Sequence, residues 1–138
     1  MTLGCAKVIL LRMANRVVTA ANLGVKMRVC ALSDLARGDA LRVDDVRPPI
    51  VIFHTDDGEV FAVDDTCTHQ DASLADGWLE GCEIECPLHA SKFDLRTGAV
   101  DAPPAKIGIR THLVTITDGD IHVTLSDAEP NLPPGLSV

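Results

Sequence analysis

The sequence predicts an all-β domain, either a β-sandwich or a small barrel, with a second small unit of strands inserted into it. From Met27 onward the apolar runs are short, and Asp-Gly turn signals separate several of them. No segment in this part has a long helical period, and no internal repeat is present. The 138 residues leave room for one domain with a modest core.

Three hairpins are predicted along this domain. Residues 49–54 form a run typical of a buried strand, and Asp57-Gly58 turns the chain into the strand 59–63. Residues 92–100 indicate a second, shorter hairpin, and residues 113–125 a third. Trp78 lies between the first two hairpins, and we expect it to pack in the core of the inserted unit.

Two short motifs contain the candidate metal ligands. Cys67 and His69, followed by Cys86 and His89, read C-x-H-x16-C-x2-H. Thiolates and imidazoles are the ligands that softer transition metals prefer, so the pattern predicts a metal site. A structural zinc site is the strongest alternative, since Cys2His2 also binds zinc. The single residue between Cys67 and His69 fits one ion poorly, and is easier to explain if each side chain binds a different iron.

The motif resembles that of Rieske proteins, in which two histidines replace two cysteines on one iron of a [2Fe-2S] cluster. Over about residues 27–128 the chain is similar to the ferredoxin components of bacterial aromatic-ring-hydroxylating dioxygenase systems. The resemblance implies a Rieske-type fold with a cluster-binding subdomain at about residues 64–99. It also implies one cluster per chain, whose ligands are Cys67 and Cys86 on the inner iron and His69 and His89 on the outer iron.

Positions around these ligands are also assigned by the resemblance. Ser91 matches a serine that donates a hydrogen bond to a cluster sulfide, and Pro103 lies in the proline loop that covers the cluster. High-potential relatives have a disulfide where this chain has Ala72 and Leu88, and a tyrosine where it has Phe93. With fewer hydrogen bonds to sulfur, we expect a potential toward the lower end of the family range of about −150 to +300 mV.

The implied function is one-electron transfer and not catalysis. A flavin reductase that oxidises NAD(P)H would supply the electron, and a terminal aromatic-ring dioxygenase would receive it. The chain has no nucleophile elbow and no dinucleotide-binding fingerprint of its own. Two alternatives stay open: the small Rieske subunit of an assimilatory nitrite reductase, and a zinc-stabilised interaction module without a redox role.

Charge and cysteine content indicate which partners and which cellular compartment are compatible with the sequence. The net charge is −8, and the sequence from residue 27 onward contains eight basic and twenty acidic residues. This excess of negative charge disfavours nucleic-acid binding. Five cysteines, an odd number, do not suggest a secreted disulfide framework. Free thiols and the implied iron–sulfur centre favour the cytoplasm. Lys7 and Arg12 bracket the apolar residues 8–11, so we expect no membrane anchor, and we also expect a monomer. Cys82 lies near the second motif, and we expect it to pack and not to bind metal.

The two ends of the chain differ from the domain between them. Residues 1–26 contain four basic and no acidic side chains, and we expect this extension to be disordered or not native, with Met27 as a candidate start. Residues 129–138 contain three prolines and predict a loose Pro-rich tail.

Overall fold

The computed structural model describes residues 8–11 and 26–136, and these residues form eleven strands in two sheets. The strands are β1 Val8–Leu11, β2 Lys26–Ala31, β3 Ala40–Val43, β4 Ile50–His54, β5 Val60–Asp64, β6 Trp78–Glu80, β7 Glu83–Glu85, β8 Lys92–Asp94, β9 Val100–Ala102, β10 Thr111–Thr117 and β11 Asp120–Thr124. Single 3-10 turns lie at Leu32–Asp34 and Leu74–Asp76. The all-β prediction is confirmed.

The larger sheet is a curled half-barrel with the order β1-β3-β4-β5-β10-β11-β2. β4 and β5 pair as the predicted hairpin, with Phe53 opposite Phe61. β10 and β11 pair as the hairpin predicted over residues 113–125, and its turn residues Asp118 and Gly119 both have positive φ angles. Left-handed backbone of this kind matches the twist of a tight two-residue turn.

The smaller sheet has the order β6-β7-β8-β9 and is antiparallel throughout. It is inserted between β5 and β10, which pair directly with each other through Val63 and Thr111. Residues 65–110 therefore leave the larger sheet and return to the strand next to their starting point. This topology gives the inserted unit a fixed attachment at both ends.

β4 separates two apolar cores. Ile50 and Ile52 point into the core of the larger sheet, which contains Leu35 and Ile121. Val51 and Phe53 point the other way, into a second core formed with the inserted unit. The second core includes Leu74, Ile84 and Phe93, together with both cysteines of the paired motifs. Because successive side chains of a strand alternate between its faces, one buried strand serves both cores.

Trp78 does not pack in the core of the inserted unit, contrary to the expectation. Its side chain is 43% exposed, whereas Leu79 next to it is 6% exposed. The alternation along β6 decides this: Leu79 faces the core, so both of its neighbours face outward.

Little of the N-terminal extension is described. Val8–Leu11 pairs in parallel with β3, with Val8 opposite Ala40, and Lys26 begins β2. Residues 1–7 and 12–25, on which the expectation of a disordered or non-native extension mainly rests, lie outside the described residues.

The C-terminal tail is held in place over its described part, residues 129–136, and in this respect it differs from the loose tail expected. Arg110 Nη1 donates a hydrogen bond of 2.7 Å to the Ala128 carbonyl just before the tail. Asn131 Nδ2 donates one of 2.9 Å to the Gly108 carbonyl, and Pro133 is buried. These contacts join residues far apart in sequence, which a local pattern cannot predict.

No helix among residues 8–11 and 26–136 has the length and apolar character needed to cross a membrane.

Candidate metal centre

The first motif lies in ligand loop 1, residues 66–73, whose ends are joined by a bridge between Thr66 and Ser73. The Cys67 N–H donates a hydrogen bond of 3.0 Å to the Ala72 carbonyl, which closes the loop from within. Cys67 at the base is fully buried, whereas His69 at the tip is half-buried.

The second motif lies in ligand loop 2, residues 86–91, which has the same arrangement. The Cys86 N–H donates to the Ser91 carbonyl at 2.7 Å, and the Ala90 N–H donates to the Cys86 carbonyl at 3.2 Å. Ala90 has a φ of 65°, a left-handed conformation that reverses the chain after His89. Cys86 is buried and His89 is exposed.

The two loops bring the four side chains together as two pairs. The rings of His69 and His89 lie edge to face, with centroids 5.4 Å apart and planes at 79°. Burial raises the pKa of the Cys86 thiol; the Leu88 backbone lowers it, and the adjacent Cys67 thiol raises it through a hydrogen bond. Both thiols are free of disulfide bonds. Within the described ranges, no three His, Cys, Asp or Glu side chains are grouped closely enough to hold a single ion.

Comparison with known proteins identifies the family. The Rieske [2Fe-2S] domain matches residues 25–113. The 3-phenylpropionate/cinnamic acid dioxygenase ferredoxin subunit of Photorhabdus laumondii is 43% identical over 102 residues, which are 73% of this chain and 95% of that protein. The subunit of the same name from Escherichia coli K12 is 39% identical over 106 residues, or 76% and 98% of the two chains. The chain belongs to the Rieske [2Fe-2S] domain family.

A solved ferredoxin structure has a fold similar to that of this Rieske domain. A chain in a complex of reduced oxygenase and oxidised ferredoxin of carbazole 1,9a-dioxygenase matches with a TM-score of 0.71 and 32% identity. The match covers 77% of this chain and 99% of that one. Because the relatives are ferredoxin subunits matched over nearly their whole length, this protein is an electron-transfer component of a dioxygenase system and its cofactor is a [2Fe-2S] cluster.

The donor set of this Rieske domain fits that cofactor. Two neighbouring thiols lie inside the apolar core, and two imidazoles in mutual contact lie at the rim. Thiolate and imidazole are the ligands of a Rieske centre, with the cysteines on one iron and the histidines on the other.

Ser91 connects ligand loop 2 to the segment that follows the small sheet. Its side chain is fully buried, and its Oγ accepts a hydrogen bond of 2.9 Å from the Ala105 N–H. Since that contact uses a lone pair of the hydroxyl, the proton of Ser91 stays available for a neighbouring sulfur atom.

Pro103 lies in the proline loop, residues 102–107, two positions before Ala105. Pro103 is exposed, and Ala105 is buried against the second core. The proline loop also contacts ligand loop 1, because Thr68 Oγ1 donates a hydrogen bond to the Ile107 carbonyl. One segment thus contacts both ligand loops, and within it Ala105 makes the buried contact. That Pro103 covers a bound cluster remains a prediction.

Asp65 supports ligand loop 1 from below and was not singled out from the sequence. Its Oδ1 accepts hydrogen bonds of 2.9 Å from Ser73 Oγ and from the Ala75 N–H. Arg42 Nε lies 3.5 Å from Oδ2. Burial raises the pKa of the Asp65 carboxyl, against the opposing effect of these three partners. In the sequence, the only indication of this role is that Asp65 lies two residues before Cys67.

A buried network of Asp64, Arg110 and His112 lies at the base of the inserted unit. His112 Nδ1 accepts a hydrogen bond from the Ser126 N–H at 2.9 Å, so Nε2 carries the proton and donates to Asp64 Oδ1 at 2.8 Å. Arg110 Nε lies 3.1 Å from Asp64 Oδ2, with 8% and 1% of the two side chains exposed. His112 is therefore engaged in holding the fold together.

Proposed function

We propose that this Rieske ferredoxin accepts single electrons from a flavin reductase that oxidises NAD(P)H and passes them to a terminal aromatic-ring dioxygenase. The observation that supports this most directly is the division of the paired motifs, with Cys67 and Cys86 in the core and His69 and His89 at the rim. This division places sulfur ligands away from water and presents imidazoles to a partner.

In this proposal Cys67 and Cys86 bind the inner iron, and His69 and His89 bind the outer iron. When bound, the cluster supplies a centre that takes up and releases one electron, uncharged in its oxidised form with two thiolates and two neutral imidazoles. The apolar side chains around the cysteines exclude water from their sulfurs. The Ser91 hydroxyl donates its free proton toward sulfur and stabilises the reduced, more negative state.

The surface suits short-lived encounters with two partners in turn. The chain carries twenty acidic and twelve basic residues, and an acidic surface steers it toward basic patches on redox proteins. The solved complex of an oxygenase with a ferredoxin in carbazole 1,9a-dioxygenase supports an oxygenase as one partner. We also propose that a flavin reductase is the second partner. The protein is proposed to be monomeric and to act in the cytoplasm. The free thiols of Cys30 and Cys82 agree with a reducing compartment.

The first test assays iron, zinc and sulfide on one anaerobically purified sample and records its visible absorption and its EPR spectrum after dithionite. Two irons, two sulfides and a Rieske-type signal per chain are expected. One zinc without sulfide or colour, persisting after attempted cluster reconstitution, would contradict the proposal and favour the zinc-stabilised module.

Cysteine variants test the ligand assignment. Cys67→Ser should lose the cluster, because a serine oxygen is a poor replacement for a thiolate on iron. Cys82→Ser is the matched control and should keep two irons, since the Cys82 thiol contacts Glu59. Equal iron content in the two variants would exclude Cys67 as a ligand.

The nitrite reductase alternative fits the relatives less well than a dioxygenase ferredoxin does. Electron transfer from reduced protein to a purified aromatic-ring oxygenase, compared with transfer to a sirohaem nitrite reductase, separates the two functions.

A further inference from the structure

The described tail, residues 129–136, passes beside one of the two rim histidines. A groove of about 430 Å³ lies between the tail and the ligand loops. Its lining residues are His69, Gln70 and Asp71 of ligand loop 1, Leu88 of ligand loop 2, and Pro133, Pro134 and Leu136 of the tail. His69 is one of the lining residues of this groove, whereas His89 is not.

Three contacts hold the tail in this position. Arg110 fixes its start through the Ala128 carbonyl, and Arg110 is itself held by the buried carboxylate of Asp64. Asn131 fixes its middle through the Gly108 carbonyl, and the buried ring of Pro133 packs beyond that point. The tail therefore follows the surface from the base of the inserted unit to the ligand loops.

The end of the described tail is a tight turn. The Leu136 N–H donates a hydrogen bond of 3.1 Å to the Pro133 carbonyl, and Gly135 between them has a φ of 89°. Proline followed by glycine at the two central positions is the pattern of a type II turn. Because Pro134 fixes φ, the turn is stiff and holds Leu136 at the edge of the groove.

The two rim histidines differ in exposure accordingly. His69, which lines the groove beside the tail, is half-buried, and His89 is exposed. We propose that the tail covers the His69 side of the electron-transfer surface and leaves His89 as the imidazole open to redox partners. This inference rests on the proposed function for its meaning, but the cover over His69 depends on contacts of the protein chain alone.

The test compares how fast hydroxyl radicals, generated by radiolysis of water, oxidise the two imidazole rings, because this reaction depends on solvent access to the ring and does not need an unprotonated ring nitrogen. The intact iron-loaded protein is treated at pH 7.5, and modification at each histidine is followed by peptide mass spectrometry. We expect His89 to react several-fold faster than His69. A chain truncated after Glu129 should react several-fold faster at His69, with the His89 rate unchanged.

Point variants provide a second measurement of the His69 rate, which is needed if truncation disturbs the fold. Leu136→Ala removes one wall of the groove and should raise the His69 rate. Ile116→Ala is the matched control, because Ile116 is similarly exposed, at 44% against 39%, but lies outside the groove. Visible absorption checks that each variant keeps its cluster.

Equal rates at His69 and His89 in the intact chain would overturn the inference, as would a truncation that raises both rates alike. Iron and sulfide assays on the same sample separate this result from a failure of the proposed function. If the sample lacks iron, the proposed function fails. The ratio of the two rates still decides whether the tail covers His69, since its contacts involve no metal.

Discussion

Ser91 Oγ and the backbone N–H of Ala105 are joined by a buried hydrogen bond of 2.9 Å, which links ligand loop 2 to the proline loop. The contact orients the hydroxyl, so that its own proton points away from Ala105. Ser91 therefore fixes ligand loop 2, and in the proposed centre its proton is free to tune the cluster.

Ser91→Ala should lower the midpoint potential of the cluster. Loss of a hydrogen bond worth about 1 kcal/mol more in the reduced state would lower the potential by on the order of 50 mV for one electron. Protein-film voltammetry measures the shift. Thr97→Ala is the matched control, because its hydroxyl also accepts from a backbone N–H, that of Ala99, but on the exposed turn after β8. A shift of the same size in both variants would exclude a specific role for Ser91.

Arg110→Met should destabilise the fold strongly. Removal of one partner from a buried ion pair costs about 3–5 kcal/mol, because the remaining charge, here that of Asp64, loses its compensation. The urea midpoint followed by far-UV circular dichroism measures the loss. Arg28→Ala provides the comparison, since Arg28 and Asp120 form an exposed pair whose loss should leave the midpoint unchanged. Similar midpoints for both variants would refute the role given to the buried network.

Gly98→Ala should cost far more stability than Gly119→Ala. Both glycines have a positive φ, so each substitution carries a backbone cost of roughly 1–2 kcal/mol. A Cβ on Gly98 would lie 2.0 Å from the Ile109 carbonyl oxygen, whereas one on Gly119 would meet nothing within 4 Å. The steric conflict adds about 1–3 kcal/mol at Gly98. Equal thermal midpoints for the two variants would contradict this contact.

Glu59→Gln should make the Cys82 thiol more reactive. Burial, and then the hydrogen bond from Cys82 Sγ to Glu59 Oε1 at 3.4 Å, raise the pKa of this thiol. Removal of the carboxylate charge increases the thiolate fraction at pH 8.5, and alkylation by iodoacetamide should become several-fold faster. Cys30 is the internal control, because burial and then Asp34 raise its pKa and Glu59 takes no part. If the rate at Cys82 stays unchanged, Glu59 does not act on it.

Local patterns in the sequence predicted the elements that neighbouring residues determine. The hairpin of β4 and β5 followed from an apolar run and an Asp-Gly turn, and the structure pairs these strands. The paired motifs predicted that four side chains would meet, and the two ligand loops bring them together. Their binding of iron and the expected low potential remain predictions.

Contacts between distant residues were beyond such patterns. Asn131 reaches the Gly108 carbonyl across 23 positions, and the Arg110 side chain reaches Asp64 across 46. Neither pair has a spacing that marks it in the sequence. The exposed position of Trp78 was missed for another reason: a bulky aromatic residue suggests burial, but the parity of a three-residue edge strand decides its direction.

Backbone lies directly against backbone within the inserted unit, just before the chain returns to the larger sheet at β10. The Ile109 N–H donates to the Gly98 carbonyl at 2.8 Å, and a Cβ on Gly108 would lie 2.4 Å from that same oxygen. This backbone contact has no side-chain rotamers to rearrange, and Val51 and Phe53 pack the larger sheet against the inserted unit in a shared core. We therefore expect the electron-transfer surface to meet each partner already in its final shape. Collision and orientation, and not a change of conformation, would then set how fast this shuttle exchanges one partner for the next.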